Sequence, residues 1–180
     1  PQMEVGVDLY EVRAWIRPDQ VGPLSSIPAE ITKAYLADGR KYRLKSETVQ
    51  RAVKEAVGDE TKPYWIARNI YQYVMSKLDY KLSGGWDTAP LLLERGSGSC
   101  SEYAFVLIAM CRAAGIPARY VAGIVTRGDD AFVDNVFHRW AEIYLPGMGW
   151  IPVDPDRGDK KTPRGQAMGF GNLANKLLIT

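Results

Sequence analysis

Histidine and cysteine are nearly missing from this chain. Its 180 residues hold one histidine, His138, and two cysteines, Cys100 and Cys111. So few excludes a disulfide-stapled scaffold and a zinc site of the usual Cys/His spacing. Nor do the two cysteines suit each other. Both fall on one expected helix, so they stand roughly 16 Å apart along its axis at about 1.5 Å per residue, whereas a disulfide needs Cα atoms within about 7 Å. The redox compartment is left open. No apolar run approaches the roughly 20 residues of a membrane span, and no signal-peptide pattern occurs. The net charge of +2 comes without a basic block set among aromatic platforms, which argues against nucleic acid as a partner. The acidic pair Asp129-Asp130 falls well short of the roughly six oxygens of a calcium cage. No metal or cofactor is expected.

What remains is an ordinary globular composition, with enough chain for one domain and a real core. The chain opens on Pro1 and ends on the apolar run Leu177-Leu178-Ile179-Thr180, which reads as a piece of a longer protein. Residues 4–16 alternate apolar and polar, as a half-buried strand does. Residues 1–26 are expected to be a leader that reads as the last strand of a preceding domain, with the principal domain over 27–180. Ser46 caps a helix ending at Gly58. Thr61 and Pro63 open a second, to about Leu78. Residues 80–98 read as irregular, with a short apolar turn at Leu91-Leu92-Leu93. From Ala118 on, three strands are expected at 118–126, 137–145 and 150–153, with turns at 127–130 and 146–149. Helices first and antiparallel strands after make an α+β arrangement.

The stretch Gly96-Ser97-Gly98-Ser99-Cys100-Ser101-Glu102-Tyr103-Ala104 carries the chemistry. Ser99 followed three positions later by Glu102 is a capping-box pattern, which puts Cys100 at the first helical position. Orphan amides and the helix dipole favour an anion there, and thiols at helix N-termini titrate below their reference value of about 8.5. The helix runs to about Ala114 and is apolar on every side, so it is expected to be central and buried. The plain alternative is a small hydrophobe starting a buried helix. Cys111 is assigned to the core.

A nucleophilic cysteine needs a base, and the base an orienting group. His138 is the one histidine available. If the hairpin centres on Gly147, facing residues have numbers summing to about 294. His138 and Asp154 then lie on one sheet face, diagonal or opposite, within reach of a hydrogen bond.

Four segments together resemble the bacterial transglutaminase-like domains. They are Gly98-Ser99-Cys100-Ser101-Glu102-Tyr103-Ala104, then 112–123, then His138-Arg139-Trp140-Ala141-Glu142-Ile143-Tyr144-Leu145, then Gly149-Trp150-Ile151-Pro152-Val153-Asp154-Pro155. The resemblance spans about Ile27 to Asp154. It implies a papain-like cysteine-protease fold with a Cys-His-Asp triad on Cys100, His138 and Asp154. It also implies an upstream aromatic, Tyr80 or Trp86, as second oxyanion donor beside the Cys100 amide. The competing role for each is plain packing. Trp140 and Trp150 are expected to wall the substrate cleft. Two departures stand out: Arg139 where a small residue is usual, and Asp156 where threonine often follows the aspartate-proline pair. Arg139 is expected on the opposite strand face, with little effect on chemistry.

The implied activity is thiol-dependent acyl transfer on peptide or isopeptide carboxamides of a protein or peptide substrate. Hydrolysis is favoured, with protein-glutamine transglutamination and a non-catalytic binding module as alternatives. The family also implies an extracytoplasmic location. Substrate and oligomeric state are not legible.

Overall fold

The computed structural model describes residues 6–82, 86–126 and 137–180. The expected turn at Arg127-Gly128-Asp129-Asp130 therefore lies outside the described residues. In chain order the elements are β1 (Val12–Arg13), α1 (Ala29–Tyr35), α2 (Glu47–Val57), α3 (Pro63–Lys77), β2 (Asp79–Tyr80), α4 (Ala89–Arg95), β3 (Ser97–Gly98), α5 (Cys100–Ala113), β4 (Ala118–Val125), β5 (Phe137–Leu145), β6 (Gly149–Val153), α6 (Pro155–Gly158), α7 (Pro163–Ala167), β7 (Asn172–Leu173) and β8 (Leu177–Ile179). A four-stranded antiparallel sheet has the order β6-β5-β4-β8. Helices α2, α3 and α4 pack around α5, which lies against β5 and β4. This is the α+β fold expected, with Cys100 at the N-terminus of a buried central helix packed on an antiparallel sheet.

The burial of α5 follows from its composition. All residues from Cys100 to Cys111 are buried, because an apolar surface on every side finds no solvent-facing position. Its one buried charge, Glu102, is fully inaccessible and surrounded by donors. Oε2 accepts from the Ser99 amide at 2.9 Å and the Ser99 hydroxyl at 3.3 Å, while Oε1 accepts from the Asp87 amide at 3.2 Å and Arg95 Nη2 at 3.1 Å. A buried carboxylate is tolerable only with such partners. The glutamate thus ties the helix start to the loop before it and to the end of α4. Gly98 is required beside it, because a Cβ there would meet Glu102 Cβ at 2.8 Å.

Several expectations are corrected. The strand over 4–16 shrinks, within the described part, to Val12–Arg13 paired with β7. Its large apolar residues Tyr10 and Trp15 are exposed, so alternation there marks no buried face. Ala14, Ile16, Val21 and Leu24 nonetheless pack on the main core. Helices α1 and α4 were not expected. In α4, Pro90 opens the helix, Ala89, Leu92 and Leu93 are buried, and Gly96 ends it at a φ of +72°. Three consecutive leucines hid that spacing, since Leu91 is exposed. The hairpin register matches the expected sum, with Tyr144 facing Trp150 and Ala141 facing Val153. No helix among the described residues is long and apolar enough to cross a membrane.

Glu102→Ala leaves an arginine and two amides without their buried acceptor. It is expected to lower the free energy of unfolding by about 3 kcal/mol in urea denaturation. A loss below about 1 kcal/mol would mean that the carboxylate does not hold the helix start.

Candidate active site

Cys100 opens α5 and is 9 % exposed at the base of a cleft of about 300 Å³. The cleft is bordered by Tyr80, Leu82 and Trp86 on one side and by Phe137, His138 and Arg139 on the other. The second cysteine, Cys111, is fully buried, and that burial pushes its thiol up to about 12. Both cysteines are free.

His138 is the second residue of β5, and its Nε2 lies 2.6 Å from Asp154 Oδ2. Their side chains are 17 % and 3 % exposed. Asp154 directly follows β6 and is the N-cap of α6, with Oδ1 accepting from the Arg157 amide at 3.0 Å. Both carboxylate oxygens are therefore engaged, and the group cannot rotate freely. The turn that holds it is packed on Tyr71. The Tyr71 hydroxyl donates to the Gln166 carbonyl at 2.5 Å. A Cβ on Gly158 would fall 1.6 Å from that hydroxyl, and one on Gly169 2.3 Å from the Asp154 carbonyl. The two glycines allow this close approach.

With Nε2 held by Asp154, Nδ1 is the ring nitrogen left to serve Cys100. Burial works against a charged imidazole. Hydrogen bonds to Asp154 and Cys100, and the charges of both, outweigh it and push His138 up to about 10. A value raised from 6.5 means that this stabilisation is complete below about pH 6.5 and is lost as pH rises through about 10. Trp140 stacks on the imidazole, with ring centres 5.8 Å apart and planes at 19°.

The other expected residues divide. Tyr80 and Trp86 border the cleft and are 46 % and 47 % exposed. Trp86 holds a left-handed φ of +57°, and the Lys41 ammonium donates to its carbonyl. Trp140 does not wall the cleft, because it is fully buried among Val121, Leu173 and Leu177 beneath His138. Trp150 is elsewhere. It faces Tyr144, six positions along β5 from His138, and packs on Tyr35 and Arg119. At about 3.4 Å per residue, that is roughly 20 Å from the cleft. Arg139 is a correction in the other direction. The start of β5 protrudes into the cleft, so residues of both strand faces border it, Arg139 among them.

Asp156, which stands where threonine often follows the aspartate-proline pair, lies beside His138 and Asp154. Together with His138 and Asp154 it puts a ligand atom within 4.8 Å of the others. A metal there would have to break the hydrogen bond between His138 and Asp154, so the group is better suited to holding a proton than a cation. Burial, and then the charge of Asp154, push the Asp156 carboxyl up to about 6.

A profile of the Transglutaminase-like superfamily matches residues 50–155. An uncharacterized protein, YebA, of Bacillus subtilis is 32% identical over 78 residues, 37% of this chain and 10% of that protein. A protein-glutamine gamma-glutamyltransferase of Pseudomonas aeruginosa is 40% identical over 70 residues, 36% of this chain and 10% of that one. The chain thus spans a small part of these relatives. Among solved structures, the periplasmic domain of TgpA from P. aeruginosa aligns with a TM-score of 0.56 at 25% identity, covering 73% of this chain and 49% of that one. A structure described as a cysteine protease from Cytophaga hutchinsonii aligns with a TM-score of 0.62 at 22% identity, covering 86% and 50%. That likeness is one of fold.

The raised Asp156 carboxyl costs the fold stability only when ionised. The cost is absent at low pH and develops as pH rises from the ordinary carboxylate range through about 6. Asp156→Asn is expected to match the wild type near about pH 3–4 and to exceed it by about 1–2 kcal/mol above about pH 7. Urea titrations at both pH values decide it, and an equal difference at the two would refute the assignment.

Proposed function

The chain belongs to the transglutaminase-like superfamily, and we propose that within it this domain is a thiol acyl-transfer enzyme that hydrolyses peptide or isopeptide carboxamides. The observation that carries the reading is the bond of 2.6 Å between His138 Nε2 and Asp154 Oδ2 beside the one thiol that opens into a cleft. Cys100 is the nucleophile, His138 the base and Asp154 its orienting group. His138 takes the thiol proton, and the thiolate attacks the carboxamide carbon. The tetrahedral oxyanion is met by the Cys100 amide, with Tyr80 or Trp86 as the second donor. As the C–N bond breaks, His138 returns the proton to the leaving ammonia or amine, and a thioester remains. Water, deprotonated by the same imidazole, then releases the acid.

Hydrolysis is preferred over amine transfer because the cleft is open. Its rim residues Tyr80 and Trp86 are about half exposed, and among the described residues nothing closes over Cys100. Crosslinking needs a thioester shielded from water. The transferase name of the P. aeruginosa relative supports the second reading, transfer to a lysine amine. A non-catalytic role fits poorly with a chain that retains all three residues. An extracytoplasmic setting is proposed by analogy with the periplasmic TgpA domain, and residues 27–180 are taken as the catalytic unit.

In the native protein near pH 7, iodoacetamide is expected to modify Cys100 and spare Cys111. Cys100→Ala and His138→Ala should abolish turnover. Asp154→Asn should lower kcat by about 10²- to 10⁴-fold. Incubation with a glutamine-containing peptide library and a labelled amine separates the acceptors. Amine incorporation exceeding hydrolysis would replace the hydrolytic reading with transfer, and Cys100 reacting no faster than Cys111 would remove the enzyme reading altogether.

A further inference from the structure

Two clefts meet at His138. One holds Cys100 and ends at Arg139. The other, also about 300 Å³, lies across His138 and Val125 and is bordered by Arg157, Lys176, Ala174 and Leu177. Cations thus stand on both sides of the imidazole. Three other arginines of the fold are occupied. Arg95 bridges Asp87 and Glu102, Arg119 pairs with Glu142, and Arg112 binds the carbonyls of Ala37 and Ala118. Among the described residues, Arg139, Arg157 and Lys176 make no salt bridge.

Arg139 is also held in place. Its Nη1 donates to the Phe137 carbonyl at 2.6 Å, and its guanidinium lies 5.2 Å from the Phe137 ring centre and 5.8 Å from that of Trp86. Its guanidinium stands beside the Tyr120 hydroxyl, and its buried Nε has no hydrogen-bond partner among the described residues. A buried donor without an acceptor is costly unless a ligand supplies one. A guanidinium fork is shaped for a carboxylate.

We propose that the acyl donor is an acidic peptide, carrying carboxylates on both sides of the amide that Cys100 attacks. Arg139 receives one, and Arg157 with Lys176 the other. The proposal rests on the acyl-transfer reading above and makes Arg139 a specificity-determining residue.

The test compares alkylation of Cys100 by the anion iodoacetate and by neutral iodoacetamide. Arg139→Gln should lower the iodoacetate-to-iodoacetamide rate ratio about three- to ten-fold, and Arg139→Lys should restore most of it. The His138 charge is common to all three proteins and does not enter the comparison. In the wild type, raising the salt from about 0.01 to 0.5 M should lower the same ratio, and Arg157→Gln combined with Lys176→Gln should lower it at fixed salt, which keeps the proposal testable if Arg139→Gln does not fold. Peptides with glutamate on both sides of the reactive carboxamide should be turned over at least about ten-fold faster, in kcat/KM, than those with lysine there. A ratio insensitive to Arg139 and to salt, or a preference for lysine-flanked peptides, overturns the acidic-substrate proposal and leaves the nucleophile standing. Slow reaction of Cys100 with both reagents overturns the nucleophile, and the proposal falls with it.

Discussion

The Glu102 carboxylate is the constraint from which the site is built. It is a full charge with no solvent, and four donors surround it. Losing any of them leaves an ion in a low-dielectric interior, so their positions are coupled to it and to each other. Those donors belong to the loop before Cys100, to the chain leading into α4 and to Arg95 at its end. One side chain therefore fixes the helix start, the approach of the backbone at Gly98 and the near wall of the cleft. The apolar remainder of α5 has no freedom of its own. Its first turn is positioned by electrostatics and its other turns by burial.

The opposite wall is set by a different kind of constraint. Strand register brings His138 and Asp154 onto one side of the sheet, and the close packing of Tyr71 on Gly158 and Gly169 aims the carboxylate. Neither wall touches the reacting atoms with loosely held groups. The proposed nucleophile Cys100 sits at a capped helix end, His138 on a central strand, and Asp154 just past a strand end, where it caps a short helix. Placement on rigid elements is what a near-attack geometry requires.

Much of this was legible in the sequence because it is local. The capping box is a spacing of three, and the hairpin sum needs only a loop centre and a period of two. Both survive into the fold, as does the burial of the apolar helix. What failed depended on distance. Trp150 shares the sheet face of His138, yet face identity says nothing about position along the strand. Arg139 was assigned by alternation to the far face, but alternation loses its meaning where a strand end juts into a cleft. Among the described residues, the alternating leader finds no partner sheet beyond the short pairing of β1 with β7. Helix α4 was obscured because only Ala89, Leu92 and Leu93 face inward, and the exposed Leu91 breaks the apparent period.

The charge balance at His138 ties these parts together. Burial alone would keep the imidazole neutral, and the hydrogen bonds to Asp154 and Cys100, with the Asp154 charge, reverse that. The same balance makes Asp156 informative. A third carboxylate beside the pair would overcharge the site if fully ionised, and its raised value shows the fold resisting that charge. The departure from threonine at this position therefore places a carboxyl that resists ionisation beside the pair, while the hydrogen bond between His138 and Asp154 stays intact.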